Sequence, residues 1–267
     1  MSVTRGFLGW LVCVSAMLVT GMPLRAADTN DGQRITVGAA ADLSFALNDI
    51  VEEFYQEHPG AKVNVSYGSS GNLFAQINNG APYDLFLSAD VGFPRRLIAD
   101  KKAATDGLFL YAVGRVVVWV PKDSPIDVEK LGIGALLAPT VRKIAIANPA
   151  HAPYGRAAAA ALKSAGIYDR VADKLVLGEN IAQTLQFVQS GAADIGIVAL
   201  SLALAPRVRP QGKYWEIPAD SYPAIEQGGA ILTRARRSRT ALELRDYLVS
   251  TTGRDILKRY GFYPPHH

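Results

Sequence analysis

The stretch VGAAADLSFALNDIVEEF, residues Val37–Phe54, decides the fold class of this chain. It begins with an apolar strand pattern and changes at Asp42 to apolar residues that recur at helical spacing from Leu43 onward. A buried strand followed at once by an amphipathic helix is the unit from which α/β proteins are built. The start of such a helix points unpaired backbone N–H groups beyond the strand, where they can bind an anion. The carboxylate of Asp42 at this place therefore needs an explanation.

The same order of apolar strand, small or polar corner and amphipathic helix recurs along the chain, which predicts an α/β protein with largely parallel sheets. A helix is predicted from about Leu43 to Glu57, and another over the tail from Thr240 to Arg259. Later strands are predicted at RVVVWVP, KIAIANP, KLVLGEN, DIGIVAL and EQGGAILTRA, with helices at APYGRAAAAALKSAG and IAQTLQFVQSG.

Two extended stretches look like connections between two sets of strand–helix units. YAVGRVVVWVPKDSP would lead into the second set, and PADSYPAIEQGGAI would lead out of it. If the strand at Ala230 rejoins the first sheet, the chain forms two α/β lobes with a ligand cleft between them. The first lobe would then contain residues 27–114 and the return segment 224–267, and the second lobe residues 115–223.

The N-terminal 26 residues have the composition of a secretory signal peptide. They contain no acidic residue, and their apolar run, Phe7 to Val19, is shorter than the roughly 20 residues of a membrane span. A lipoprotein signal would require a cysteine at the end of this run. Cys13, the only cysteine, lies in its middle. We therefore expect cleavage near residue 26 and a mature protein in the periplasm, without disulfides or thiol chemistry.

Charge gives no indication of a nucleic-acid partner. Loss of the signal peptide removes two arginines, so the 28 basic residues become 26 against 24 acidic ones, and the net charge falls from +4 to +2. A balance so close to neutral, without a basic stripe, does not fit a nucleic-acid-binding surface.

Four corners of similar composition could form one anion site. Each places small or hydroxyl-bearing residues where a helix is predicted to begin, so that an anion can approach the backbone closely. The corners are AAADLS (Ala39–Ser44), YGSSGN (Tyr67–Asn72), NPAHAPYGR (Asn148–Arg156) and LGENIAQ (Leu177–Gln183).

Hydroxyls in these corners, those of Ser69, Ser70 and Tyr154, could add donors to the backbone N–H groups. Each feature also has a purely structural interpretation. Glycine and serine suit turns, and Tyr154 could be a packing aromatic. Asn180 is expected to cap its helix, which is compatible with a binding N–H one residue later, at Ile181.

An enzyme is not expected. YGSSG lacks the G-x-S-x-G spacing of a nucleophile elbow, and the four histidines show no metal-ligand spacing beyond the terminal pair His266 and His267. His151 lies in the third corner, where a surface position is the simpler interpretation. No catalytic set and no cofactor are therefore predicted.

At these corners the sequence resembles the periplasmic molybdate-binding proteins of ABC transporters, and the resemblance covers nearly all of the predicted mature chain. The motifs that carry it are AAADL, GSSGNL, QINNGAPYDLFLSAD, AIANPAHAPYGRAA, GIVALS and RYGF. The resemblance implies a type II periplasmic-binding fold whose two lobes close on a tetrahedral oxyanion. It also implies that the ligand is molybdate or tungstate and that a membrane permease is the partner.

Residue by residue, Ser70 matches the family serine that binds through its hydroxyl and N–H, and Ile181 and Tyr154 match positions that supply a backbone N–H. Tyr154 stands where other members have alanine, and Ala199 where some have tyrosine. This exchange suggests that the phenol donor has moved to Tyr154. Asp42 replaces a serine of the best-known members.

Two explanations of Asp42 remain open. In the favoured one its side chain caps the N–H groups of Ser44 or Phe45, while its backbone N–H meets the ligand with the hydroxyls of Ser44 or Ser70 nearby. Affinity should then be flat from about pH 6 to 8, because an ordinary aspartate with a pKa near 4 does not titrate there. In the other, the carboxylate accepts a proton from a protonated ligand. Weaker candidates for the site are Ala41, Ser69 and Ala199.

Three further functions remain as alternatives at this point. The protein could bind another tetrahedral oxyanion, such as sulfate or phosphate, because the sequence does not fix the radius of the cavity. The effector-sensing domain of a transcription regulator shares the implied fold, although the signal peptide and the lack of a DNA-binding helix pair disfavour it. An enzyme would need a base, a nucleophile or a metal set that the corners lack. We expect a monomer.

Overall fold

The computed structural model describes residues 33–265. The predicted signal peptide lies outside the described residues. Within the described part, none of the helices is both long and apolar enough to cross a membrane.

Within residues 33–265, ten strands form two five-stranded sheets. The first sheet has the order β2-β1-β3-β10-β4 and the second β7-β6-β8-β5-β9. The strands of the first sheet are β1 Arg34–Ala40, β2 Lys62–Gly68, β3 Leu85–Ser88, β4 Ala103–Gly114 and β10 Ile225–Leu232, and those of the second are β5 Val116–Pro121, β6 Ile144–Ala147, β7 Leu175–Gly178, β8 Ile195–Ala199 and β9 Gly212–Glu216.

Both sheets are mixed, so the expectation of largely parallel sheets is wrong for half of the strand pairs. β1 runs parallel to β2 and β3, and β6 runs parallel to β7 and β8. β10 is antiparallel to β3 and β4, and β5 is antiparallel to β8 and β9. The parallel strands are connected by helices. The antiparallel pairs all contain β5 or β10, the two strands that directly follow a crossing between the sheets.

The chain crosses from one sheet to the other twice. The first crossing is at Arg115, between β4 and β5, and the second lies between β9 and β10. The strand predicted at Ala230 does rejoin the first sheet, where it pairs with β3 and β4. The predicted arrangement of two α/β units is therefore confirmed at the level of sheet topology.

Helices flank both sheets. The predicted tail helix is divided at Ser250, which has an extended backbone and whose side chain accepts the N–H of Gly253 to cap the second half. The helices on the first sheet are α1 Ala46–Glu57, α2 Ser70–Asn78, α3 Gly92–Ala99, α9 Arg239–Val249 and α10 Thr251–Arg259, and those on the second are α4 Val128–Leu131, α5 Pro153–Ser164, α6 Tyr168–Val171, α7 Ile181–Gln189 and α8 Leu200–Ala203.

The opening stretch of the sequence forms β1, a 3₁₀ turn at Ala41–Leu43 and then α1. The apolar face of α1, which includes Leu47 and Phe54, is fully buried, while Glu52 on the opposite face is exposed. This burial fixes α1 against the C-terminal helices, and the Tyr55 hydroxyl on α1 accepts the N–H of Val63 in β2 at 2.9 Å. The helix position in turn fixes the corner that precedes it.

We expect Leu47→Ala to lower the free energy of unfolding by about 2–5 kcal/mol, because a fully buried leucine is replaced by a cavity. Glu52→Ala on the exposed face of the same helix is the control and should change it by less than about 0.5 kcal/mol. Urea denaturation followed by circular dichroism measures both. Equal effects of the two substitutions would contradict the assignment of the buried face.

Candidate functional site

All four corners meet at one cavity between the two sheets. Its volume is about 10 Å³, measured as the space open to the centre of a water-sized sphere. A space of that size admits a compact ion but not an extended organic molecule. It is lined by Ala40, Ala41, Asp42, Gly68, Ser69, Ser70, Ala89, Ala152, Pro153, Tyr154 and Ile181.

The first turn of α2 leaves one N–H group for a ligand. Ser69 is the N-cap and accepts the N–H of Asn72 at 3.3 Å, and the N–H of Gly71 donates to the carbonyl of His151 at 2.9 Å. Within the described residues, no protein acceptor is found for the N–H of Ser70. Because helix N-termini favour anions, this group is a donor directed at the cavity.

The first turn of α7 repeats this arrangement. The Asn180 side chain accepts the N–H groups of Ala182 and Gln183, both at 3.0 Å, so the predicted cap is confirmed. The N–H of Ile181 has no acceptor among the described residues. It lies in the wall of the same cavity as Ser70.

Further donors come from α5 and from the Ser70 side chain. The first residue of α5, Pro153, has no N–H, and the N–H groups of Gly155 and Arg156 both donate to Ala152. This leaves the N–H of Tyr154 without an acceptor in the described structure. The Ser70 hydroxyl is fully buried and accepts the N–H of Ala89 at 3.0 Å, so its own proton remains available.

Asp42 does not cap α1, and this favoured prediction is wrong. The 3₁₀ turn at Ala41–Leu43 moves the start of α1 to Ala46, and Phe45, its N-cap residue, receives no side-chain hydrogen bond. The Asp42 side chain instead lies where the two halves meet, between Tyr154 of the other half and Gln227 of its own half. Its Oδ2 accepts hydrogen bonds from the Tyr154 hydroxyl, at 2.8 Å, and from Gln227 Nε2.

The second carboxyl oxygen, Oδ1 of Asp42, has no hydrogen-bond partner within the described structure, and the residue is 1% exposed. Burial raises the pKa of this carboxyl from 3.8 to about 6, although the hydrogen bonds from Gln227 and Tyr154 and the nearby backbone N–H groups of Asp42 and Leu43 act in the opposite direction. The cavity wall contains no basic side chain to offset the carboxylate charge.

The Tyr154 hydroxyl is not a direct ligand donor in this arrangement, contrary to the sequence-based expectation. Its single proton is donated to Asp42, and it accepts a hydrogen bond from Gln227 Nε2 at 3.0 Å. Burial and the nearby Asp42 charge both hold the pKa of Tyr154 well above its usual range, so the phenol stays protonated. Tyr154 therefore contacts the cavity with its backbone and ring and acts on Asp42 with its hydroxyl.

Two other predicted residues lie outside the cavity wall. Ser44 is half-buried behind the 3₁₀ turn, where its N–H donates to the Ala41 carbonyl at 3.3 Å. Ala199 is fully buried at the end of β8. The structure therefore brings Ala41, Asp42, Ser69, Ser70, Tyr154 and Ile181 together and leaves out Ser44 and Ala199.

Three residues near the site were missed or misplaced by the sequence reasoning. Gln227 is a fully buried amide in β10, and the only sequence signal for it is a polar residue beside two glycines in an apolar strand. The Ser201 hydroxyl donates to the Asp42 carbonyl at 2.8 Å. His151, expected at the surface, is half-buried with Nδ1 2.9 Å from Ser69 Oγ.

Hydrogen bonds between the two halves surround the cavity. They join the start of α2 to the third and fourth corners, and the loop after β3 to the start of α5, so the site is assembled only when both halves are in contact. The pairs are Gly71 N–H to the His151 carbonyl at 2.9 Å, Ser69 to His151 at 2.9 Å, Asn72 to Glu179 at 3.1 Å and Arg156 to Asp90 at 2.6 Å.

This geometry can be compared with known proteins. A family model described as bacterial extracellular solute-binding protein matches residues 35–263. The chain belongs to this family. As a solute-binding protein it is not an enzyme, in agreement with the absence of a catalytic set in the sequence motifs.

Sequence relatives and a solved structure define the similarity more closely. This solute-binding protein is 37% identical to the molybdate-binding protein ModA of Azotobacter vinelandii over 85% of its own length and 89% of the relative. It is 31% identical to ModA of Rhodobacter capsulatus, with 92% of each chain covered. Its fold matches that of the periplasmic molybdate-binding protein of Azotobacter vinelandii with a TM-score of 0.81 and 31% identity, covering 87% of this chain and 100% of that chain. The resemblance inferred from the motifs, and the periplasmic-binding fold that it implies, are confirmed.

We expect Gly71→Ala to weaken the binding of molybdate, the ligand named for these relatives, by about tenfold or more. A Cβ at Gly71 would lie 2.6 Å from the His151 carbonyl oxygen, so the substitution separates the two halves where they meet. Loss of the hydrogen bond between them and the steric strain together exceed about 1.4 kcal/mol, the equivalent of a tenfold change. Isothermal titration calorimetry measures the affinity.

Gly134→Ala is the matched control, because a Cβ at Gly134 meets no atom within 4 Å and its φ is not positive. It should bind as the wild type does. Equal affinity of the Gly71→Ala variant would show that contact between the halves at this point does not contribute to binding.

Proposed function

We propose that this protein captures molybdate in the periplasm and delivers it to the permease of an ABC transporter. One observation carries the proposal. The four corners converge on a cavity of about 10 Å³ whose free donors are the N–H groups of Ser70, Tyr154 and Ile181 and the hydroxyl of Ser70. Relatives that bind molybdate support the choice of ligand, because their similarity covers most of both chains.

Neutral donors are sufficient to bind a dianion in this cavity. Each helix N-terminus contributes about 0.3–1 kcal/mol, and each hydrogen bond to a charged group contributes about 1.5–3 kcal/mol. Three or four such contacts approach about 8 kcal/mol, which corresponds to a micromolar dissociation constant. The donors are fixed by helix starts and caps, so little conformational entropy is lost when the ligand binds.

The choice among oxyanions depends on size. Molybdate and tungstate are tetrahedral dianions of closely similar radius, whereas sulfate is smaller and cannot reach all the donors of a cavity shaped for molybdate. We therefore propose tungstate as a second ligand of the same site. Molybdate is the transported ligand, and no cofactor is needed.

Transport would use the two halves as lobes that close on the ligand, with residues 27–114 and 224–267 in the first lobe and 115–223 in the second. The sheet crossings at Arg115 and between β9 and β10 support this division. We propose that a monomer, freed from residues 1–26 after export, presents the closed lobes to the permease. The near-neutral charge supports a role without nucleic acid.

The ligand panel tests the assignment directly. We expect molybdate and tungstate to bind with similar affinity and sulfate at least about tenfold more weakly, measured by calorimetry and by the rise in melting temperature that ligand binding produces. Phosphate and an organic acid complete the panel. Tighter binding of sulfate or phosphate than of molybdate would contradict the proposed ligand.

A pair of serine substitutions tests the site. We expect Ser70→Ala to weaken molybdate binding by about 1.5–3 kcal/mol, because it removes a buried hydroxyl donor from the cavity wall. Ser44→Ala is the matched control, since Ser44 lies in the same corner as Asp42 but outside the cavity wall. The molybdate affinity of this variant should stay within about twofold of the wild type. A larger effect at Ser44 than at Ser70 would show that the ligand lies elsewhere.

A further inference from the structure

Two buried side-chain oxygens of the described residues have no hydrogen-bond partner, Oδ1 of Asp42 and Oε1 of Gln227, and the proposed function does not explain the one that belongs to a titratable group, Asp42 Oδ1. Asp42 lines the cavity, and its Oδ1 is buried without a partner, whereas its Oδ2 already accepts hydrogen bonds from Tyr154 and Gln227. A buried polar atom without a partner is rare in proteins. Because Asp42, Ser70 and Ile181 line the same small space, we expect an oxyanion held by the donors of Ser70 and Ile181 to lie beside the Asp42 carboxyl group.

Charge makes this contact strongly unfavourable between two unprotonated groups. An ionised Asp42 and a dianion repel each other, and both lack a hydrogen that could form a bond between their oxygens. A single proton converts the repulsion into a charge-assisted hydrogen bond.

Among residues 33–265, no group facing Asp42 supplies a compensating positive charge. The phenols of Tyr154 and Tyr111 have pKa values well above their usual range because of burial and the nearby Asp42 charge, so both are neutral. Arg156, at the third corner, is paired with Asp90 outside the wall of the cavity. The groups that face Asp42 are the Tyr154 hydroxyl from α5, the Tyr111 phenol from β4, the Gln227 amide from β10, the Ser201 hydroxyl from α8 and the Ile181 N–H from α7.

We infer that this protein takes up one proton together with its oxyanion: in the complex, Asp42 Oδ1 carries a hydrogen and donates it to an oxygen of the bound dianion. The inference rests on the proposed function for the identity of the dianion. Asp42 is then a specificity residue that makes binding dependent on pH. The 3₁₀ turn that excludes the capping role of Asp42 also removes the basis for expecting a flat pH profile.

The sign of the pH dependence follows from the state of Asp42 before the ligand binds. Its pKa in the protein is about 6, so the carboxyl is mainly protonated below pH 6 and mainly ionised above it. The bound dianion raises this pKa further, because the ionised carboxyl is repelled. Binding above pH 6 therefore consumes a proton from the solvent, and the dissociation constant for molybdate should rise by up to about tenfold per pH unit.

Calorimetric titration with molybdate, in pairs of buffers that differ in their heat of ionisation, counts the protons directly. For the wild type at pH 8 we expect an uptake close to one proton per molybdate and an affinity roughly fiftyfold weaker than at pH 6. Asp42→Asn keeps the shape but cannot titrate, so its proton uptake should be zero and its affinity independent of pH. Asp169→Asn, at an exposed position on α6, is the control and should behave as the wild type.

A second variant keeps the test valid if Asp42→Asn does not fold. Tyr154→Phe removes a hydrogen bond that lowers the pKa of Asp42, so the fall in affinity should begin at a higher pH than in the wild type. A residue with a merely structural role would change the affinity equally at all pH values. Tyr168→Phe on α6 serves as its control.

The outcomes separate the two proposals. Tight molybdate binding without proton uptake at pH 8 and without a pH trend would overturn the proton inference and leave the proposed function intact. Failure of molybdate to bind even at pH 6, where Asp42 is about half protonated, would overturn the proposed function and the inference with it.

Discussion

The hydrogen bond between Tyr154 and Asp42 is the interaction on which the site depends, because it joins the two halves of the molecule inside the protein. The two residues are 112 positions apart and belong to different strand–helix units, yet both are buried. The bond needs a residue without a side chain at the crossing between the sheets, and that residue is Gly114. A Cβ at Gly114 would collide with the Tyr154 hydroxyl, so the glycine at the end of β4 provides the space that this contact needs.

The electrostatics of the cavity follow from that contact. A dianion about 4 Å from an ionised carboxylate would be repelled by about 8 kcal/mol at an effective dielectric constant of about 20. A charge-assisted hydrogen bond contributes only about 1.5–3 kcal/mol, so one such bond cannot offset the repulsion. The buried carboxylate, held by Tyr154 and Gln227, therefore makes the protonation state of Asp42 part of ligand recognition.

The rest of the donor set is local in origin. At three helix starts most N–H groups already have acceptors, which are the Ser69 cap and the His151 carbonyl at α2, the Asn180 cap at α7 and the Ala152 carbonyl at α5. What remains at each start is one N–H group that faces the same space. The fold converts three ordinary helix beginnings into one anion site by placing them around the ends of two sheets.

The sequence by itself determined the strand–helix units, the four corners and the Asn180 cap, because each depends on residues within a few positions of one another. It also indicated the family through motifs spread along the chain. Only the tertiary structure decided the role of Asp42. Its partners Tyr154 and Gln227 are 112 and 185 positions away, and local spacing carries no information on contacts across a sheet crossing. The same limit applies to the antiparallel strand pairs, which join distant parts of the sequence within each sheet, and to His151, whose contact with Ser69 depends on how the two halves meet.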